Sequence, residues 1–321
     1  MFYRQQISHI SVPIRKPMFW LILFFAFASL SLAVMWAHWG RTVEDSLAYF
    51  NTARYLRGEI PISELRAPFP YRLLVPAIAA WLPGELHNTF ATINWLSISL
   101  AATVLSWTVS KIGASTRQIV IAGLLLILSV PTFWYASFLL TDPGAIFARV
   151  VFIAGVLTGQ PWLAIAAGLT ATAVREENIL LLVWLLAFRR VGWLIGLLAL
   201  GSAIAWLLAV RWWLIPDLPR YLWVPSLATL KTAITDIRSM LSIGGAALLV
   251  VPLAAIGWRR SPSLLHPLRS LLALMALPLL YAALSVRVDG RAIWGLYPFL
   301  IPFAVYAASW RSVHLLEKRS M

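Results

Sequence analysis

The chain contains no cysteine. A disulfide framework, a thiolate metal site and a cysteine nucleophile are therefore excluded, and the redox compartment is left open. Acidic residues are nearly as scarce: 12 Asp and Glu stand against 26 Lys and Arg, and charged residues make up only 12% of the chain. Soluble domains carry about 25% charged and about 45–50% apolar residues. Here 61% of residues are hydrophobic and the mean hydropathy is +0.82. The composition is that of an all-α, polytopic membrane protein. Its 321 residues hold roughly ten spans of about 20 residues with little left for a soluble part, so a single transmembrane domain over 1–321 is expected.

Other absences narrow the function. There is no Walker-type loop, dinucleotide-binding fingerprint, nucleophile elbow or zincin His pair. No internal repeat is evident, which argues against inverted-repeat transporters. No His or carboxylate cluster has metal-ligand spacing. The net charge of +14 would suit nucleic acid, but the cations lie at segment ends and in loops, without a soluble basic domain. Anionic lipid is the expected partner and nucleic acid is not.

What is present is a series of hydrophobic segments at 18–38, 90–110, 118–136, 144–158, 162–174, 179–188, 192–211, 242–258, 267–286 and 292–310. Arg4, Arg15 and Lys16 precede the first, which the positive-inside rule reads as a cytoplasmic N-terminus. That segment is too long for a signal h-region and lacks a small-residue cleavage pattern, so it is read as retained. Ten passes return the C-terminus to the cytoplasm and leave Lys111, Arg117, Arg189-Arg190, Arg259-Arg260, Arg269 and the basic tail 311–319 inside. Outside are Glu44-Asp45, Asp142, Arg175-Glu176-Glu177, a second loop at 212–240, and Arg287, Asp289 and Arg291. Segments 71–81, 162–174 and 179–188 are short enough to be either full spans or re-entrant.

The external loop 40–70 carries two neighbouring carboxylates just past the first span. Thr42 followed three residues later by Asp45 fits a capping box opening a helix that Gly58 ends, so Asp45 is a candidate both for capping and for chemistry. Glu44 suits the dipole of the first turn. Val43, Leu47 and Phe50 share one helical face bordered by Arg54 and Arg57, as expected of a helix resting on the membrane surface. Asp142-Pro143 likewise reads as a helix start or as a second functional acid. Arg72 after Pro70-Tyr71 suits either a snorkelling interfacial cation or a phosphate ligand. Arg291 has only Asp289 nearby, and residues two apart do not face each other on a helix, so a partner from elsewhere is implied. Trp212, Trp213, Tyr221 and Trp223 read first as interfacial anchors. His38, His87, His266 and His314 lie near segment ends, and the glycines of 194–201 and 244–245 read as helix contacts.

The run Asp45-x-x-x-Tyr49, Ala53-Arg54-Tyr55-Leu56-Arg57-Gly58 and Pro68-Phe69-Pro70-Tyr71-Arg72-Leu73-Leu74-x-Pro76 resembles the first external loop of GT-C-type integral membrane glycosyltransferases. Thr141-Asp142-Pro143, Arg175-Glu176-Glu177, Gly290-Arg291 and Tyr297-Pro298 continue the resemblance in order. It implies an inverting transfer of sugar from a polyprenyl-phosphate donor to a glycan or lipid acceptor, on the periplasmic face of a bacterial inner membrane. Asp45 is the implied general base. Asp142 is the implied second acid, orienting the acceptor or holding a divalent cation (Mg or Mn), with no metal required. Glu44, Tyr49, Arg72, Arg175, Glu176, Arg287, Arg291 and Tyr297 are the implied substrate-binding residues. A transporter or flippase of a lipid-linked anion needs similar external arginines and is the alternative.

Overall fold

The computed structural model describes residues 16–43, 45–218, 224–285 and 289–307, and among these the protein is all-helical, without strands. Glu44, Arg287, Tyr221, Trp223, His314 and the basic tail 311–319 lie outside the described residues. The helices run in chain order as α1 (Pro17–Met35), α2 (Asp45–Leu56), α3 (Leu74–Trp81), α4 (Leu86–Lys111), α5 (Thr116–Ile127), α6 (Val130–Tyr135), α7 (Asp142–Leu157) and α8 (Pro161–Val174). They continue as α9 (Ile179–Ala187), α10 (Trp193–Ala209), α11 (Leu227–Thr235), α12 (Ile237–Ala247), α13 (Val250–Trp258), α14 (His266–Ser285), α15 (Gly290–Trp294) and α16 (Tyr297–Ala304).

Four helical stretches are long and apolar enough to cross a membrane: Pro17–His38, Leu86–Lys111, Trp193–Leu214 and Ser263–Ser285. The pair α12 and α13, bent by 45°, makes a fifth if counted as one span. This is fewer than the ten passes expected, of which 162–174 and 179–188 are short already in the sequence. The remaining apolar segments are shorter or interrupted, as where Ser129 caps a new helix carrying Pro131 in its first turn and so divides 118–136 into α5 and α6. Outward faces of α1 and α10 present large apolar side chains, including Phe25 at 58% and Leu198 at 63% exposure. Helices apolar on the outer as well as the inner face belong in a lipid environment.

The core is centred on α7, which packs between α4 and α8 and is buried nearly throughout, with Phe152 meeting Trp184 of α9. A second packing axis joins α13 to α16, where a side chain on Gly257 would lie 1.9 Å from the Phe303 carbonyl oxygen, so only glycine allows this approach. Of the glycines singled out from sequence, Gly196 and Gly245 do make close helix contacts, a side chain there meeting Leu186 at 2.9 Å and Val130 at 3.1 Å, whereas Gly201 and Gly244 meet nothing within 4 Å.

Between α1 and α4 the chain folds over one end of the bundle. Gly58, at φ +75°, closes α2 as expected. The face α2 turns inward is Ser46, Tyr49, Thr52 and Ala53, whereas Leu47 is 52% exposed. Arg57 donates to the carbonyls of Ala79, Ala80, Leu82 and Gly84, tying α2 to the end of α3. This cation at a helix C-terminus satisfies carbonyls that have no partner within α3, and it fixes the loop that carries Asp45 and Arg72.

Candidate active site

Five helix ends meet at this end of the bundle, and each brings charge. Asp45 and Asp142 are the first residues of α2 and α7. Arg175 caps the C-terminus of α8 and leads into the single turn Glu176–Asn178. Arg291 sits in the short helix α15, and Arg72 follows the turn Phe69–Tyr71. Helix ends suit this because backbone groups there are unpaired and a nearby charge finds partners.

Arg291 is the hub. Its Nη1 lies 2.9 Å from Asp45 Oδ2 and its Nη2 2.9 Å from Asp142 Oδ2. The other oxygen of Asp142 accepts from Arg175, whose Nε lies 2.6 Å from Glu177. Glu177 accepts a hydrogen bond from Arg149, a residue two turns inside α7 that donates further to Asn178 and to the Gly295 carbonyl. Beside this chain, Arg72 grips Glu176 with two bonds of 3.0 and 3.1 Å and donates to the Tyr49 hydroxyl at 2.6 Å. The i, i+4 spacing of Asp45 and Tyr49 sets both on one face of α2, one reaching Arg291 and the other Arg72.

Several residues thus have more specific roles than their local sequence suggested. Asp142 makes no capping bond, since Thr141 occupies the cap position and the Asp142 carboxylate spends both oxygens on arginines. Arg72 is only 8% exposed, so it is not a snorkelling cation. The Thr42 box is replaced by a bond from the Val43 amide to the Ser46 hydroxyl, and α2 begins at Asp45. Asp289 caps α15 by accepting from the Arg291 amide, which explains the spacing without a side-chain pair between them. Tyr297 is not brought into the cluster. Its hydroxyl donates to the Ala246 carbonyl and holds α16 to α12.

Arg149 was missed although its position carried the signal. It lies inside an otherwise apolar segment, and an ionisable residue at such a place is by default a site hypothesis. Asn178 and Glu177 were missed as its partners. No signal in sequence separated them from a solvated turn.

Burial is the main physical cost in this cluster and pairing offsets it. The Asp142 carboxyl at the mouth of α7 is pushed up by burial, but Arg291 and Arg175 outweigh this and hold it well below the usual carboxylate range. Burial likewise works to raise Glu176, and the Arg72 charge and hydrogen bonds bring it down to about 2. Asp289 is different: burial raises it, and the repulsion of Asp142 and Asp45 adds to that against the attraction of Arg291.

The consequence is acid lability. Asp142 and Glu176 are depressed on folding, so their contribution to stability is complete above their unfolded pKa values near 4 and disappears as pH falls through the folded ones. Asp289, raised on folding, acts in the opposite sense, its contribution being complete below its unfolded value and lost as pH rises through the folded one. With two groups against one, the melting temperature of the detergent-solubilised protein is expected to hold between roughly pH 8 and 5 and to fall below about pH 4. Arg72→Gln strands the buried Glu176 carboxylate and raises its folded pKa, so it should lower the melting temperature most near neutral pH and make the fall towards acid shallower.

Among the described residues no group of three His, Asp or Glu could hold a metal ion. Asp45 and Asp142 have the Arg291 guanidinium between them, which is not the cluster of oxygen ligands that Mg or Mn takes. Neither a protein-family model nor a curated protein matches the chain.

Proposed function

We propose that this protein is a GT-C-like membrane glycosyltransferase that moves a sugar from a polyprenyl-phosphate donor to an acceptor hydroxyl on the external face. The observation that carries the reading is the Asp45–Arg291–Asp142 bridge, which joins three distant parts of the chain at one end of an apolar bundle. It sets a carboxylate for the acceptor beside a guanidinium for the phosphate. In this account the chain crosses the bilayer ten times, with α5–α6, α12–α13 and α15–α16 each counted as one broken pass. Both termini are then cytoplasmic.

The chemistry divides between the residues as follows. Asp45 is the most exposed carboxylate of the bridge, its side chain 36% accessible against 7% for Asp142. It takes the proton as the acceptor oxygen bonds to the anomeric carbon. The bond from that carbon to the phosphate oxygen breaks on the opposite face, and its electron pair leaves with the phosphate. Arg291 is suited to that charge because its Nη1 reaches the partly exposed Asp45, which sets one edge of the guanidinium at the open side of the cluster. Asp142 and Arg175 hold Arg291 in place, while Arg72 and Tyr49 fix the loop next to it. Arg fits this work because it stays charged when desolvated.

The alternative, transport of a lipid-linked anion, uses the same arginines. Proteoliposomes carrying a polyprenyl-phosphate sugar and a labelled acceptor distinguish the two. The enzyme consumes the donor and releases polyprenyl phosphate, whereas a transporter moves the donor across intact. Sidedness is tested separately by cysteine labelling against the cysteine-free background. A cysteine at the exposed Leu47 should react with an impermeant maleimide from outside the cell, and one at Arg259 only after the membrane is opened.

A further inference from the structure

At the other end of the bundle, the turn joining α9 to α10 and the first turn of α8 border a cavity of about 420 Å³, open on one side and lined by Pro161, Trp162, Ile165, Arg189, Arg190 and Gly192 among others. That volume lies within the roughly 300–1,000 Å³ usual for small-ligand sites. Two arginines line it and no carboxylate does. Arg189 has no ion-pair partner among the described residues.

Three further observations point the same way. α8 and α10 both begin at this cavity, and their N-cap residues Gln160 and Gly192 make no side-chain capping bond, so the first-turn amides of two helices lack side-chain acceptors. Arg189 itself has φ +49°, the left-handed conformation in which a helix normally ends on glycine. An arginine kept there at a conformational cost points to a task for its side chain. Finally, Trp162 and Trp193 beside the cavity are 67% and 71% exposed, as are tryptophans that sit at headgroup level in a bilayer.

We propose that this cavity binds an anionic phosphate group, the chemistry shared by a phospholipid headgroup and a soluble phosphate. Arg189 supplies charge and planar donors, Arg190, lying over the Trp184 ring, adds its charge, and the two helix N-termini add amides and a positive dipole end. This site does not depend on the transfer reading, since it shares no residue with the Asp45–Arg291 cluster.

The test uses the full chain and Arg189→Gly. Glycine suits the backbone at this position, so a residue serving only structure would leave the variant as stable as the wild type or more so. The variant is expected to keep its melting temperature while retaining phosphatidylglycerol about tenfold less well by native mass spectrometry, as for the loss of one charge-assisted contact. Arg190→Gln should behave alike. A control, Arg117→Gln with Arg259→Gln, removes two exposed cations elsewhere and should keep the lipid. Thermal shift of delipidated protein with inorganic phosphate separates the sources. A phosphate shift lost in Arg189→Gly, without preference for phosphatidylglycerol over phosphatidylcholine, assigns the site to soluble phosphate, and the reverse pattern assigns it to lipid. No lipid preference together with no phosphate shift, or equal loss in Arg189→Gly and the control, overturns the proposal.

Discussion

Asp45→Asn is expected to lower sugar transfer by about 10²- to 10⁴-fold, the usual contribution of a general base, while leaving folding and donor binding largely intact. The amide matches the carboxylate in size and can still sit at a helix start, but it cannot take the acceptor proton. It also removes one of the two charges on Arg291. That pair is partly exposed, with 13% and 36% of the two side chains accessible, so its loss should cost no more than about 1 kcal/mol of stability. A large kinetic loss with a small change in melting temperature is thus the signature of a base. The reverse, a protein that turns over normally but melts lower, would make Asp45 a structural partner of Arg291. Glu44→Gln is the comparison: as a binding residue and not the base, it is expected to raise KM more than it lowers kcat, since the Asp45-x-x-x-Tyr49 spacing selects its neighbour for the proton.

Arg291→Gln should do more damage to the fold. It takes from the buried Asp142 one of its two arginines, leaving Arg175, and from Asp289 its nearest cation. Removing one partner of a buried pair costs about 3–5 kcal/mol, mostly through the stranded charge, and with Arg175 still on Asp142 the loss should lie below that range. The double variant Arg291→Gln with Asp142→Asn removes that stranded charge and should recover much of the stability by thermal melting. It should recover none of the activity, because the phosphate would still lack its cation. Equal melting of the single and double variants would mean that Asp142 is carried by Arg175 alone.

Much of this cluster was legible because charge is so rare in the chain. Asp45, Asp142, Arg175, Glu176 and Arg291 stand out as exceptions in apolar surroundings, and an Arg291 without a local partner already implied one from elsewhere. The partner itself was not legible. Asp45 and Arg291 are separated by 246 positions, and nothing in either local sequence specifies the other. Arg149 stands alone in the apolar segment 144–158, and no neighbour in sequence marks its partners. Arg57 was read by its helical face, whereas it acts through the carbonyls of another helix. Tyr297 followed a family-like pattern, yet its hydroxyl serves packing. Helix type was clear from composition. Helix length was not, because a capping serine or a bend between α12 and α13 divides an apolar run without changing its hydropathy.

The most direct measurement is the anomeric configuration of the product. Wild-type protein is given a polyprenyl-phosphate sugar of known anomer, and the glycosylated acceptor is examined by NMR. With Asp45 as base in a single displacement beside Arg291, the sugar arrives with inverted configuration and one polyprenyl phosphate is released per transfer. Retention of configuration would contradict the account, as would donors that emerge intact from every incubation.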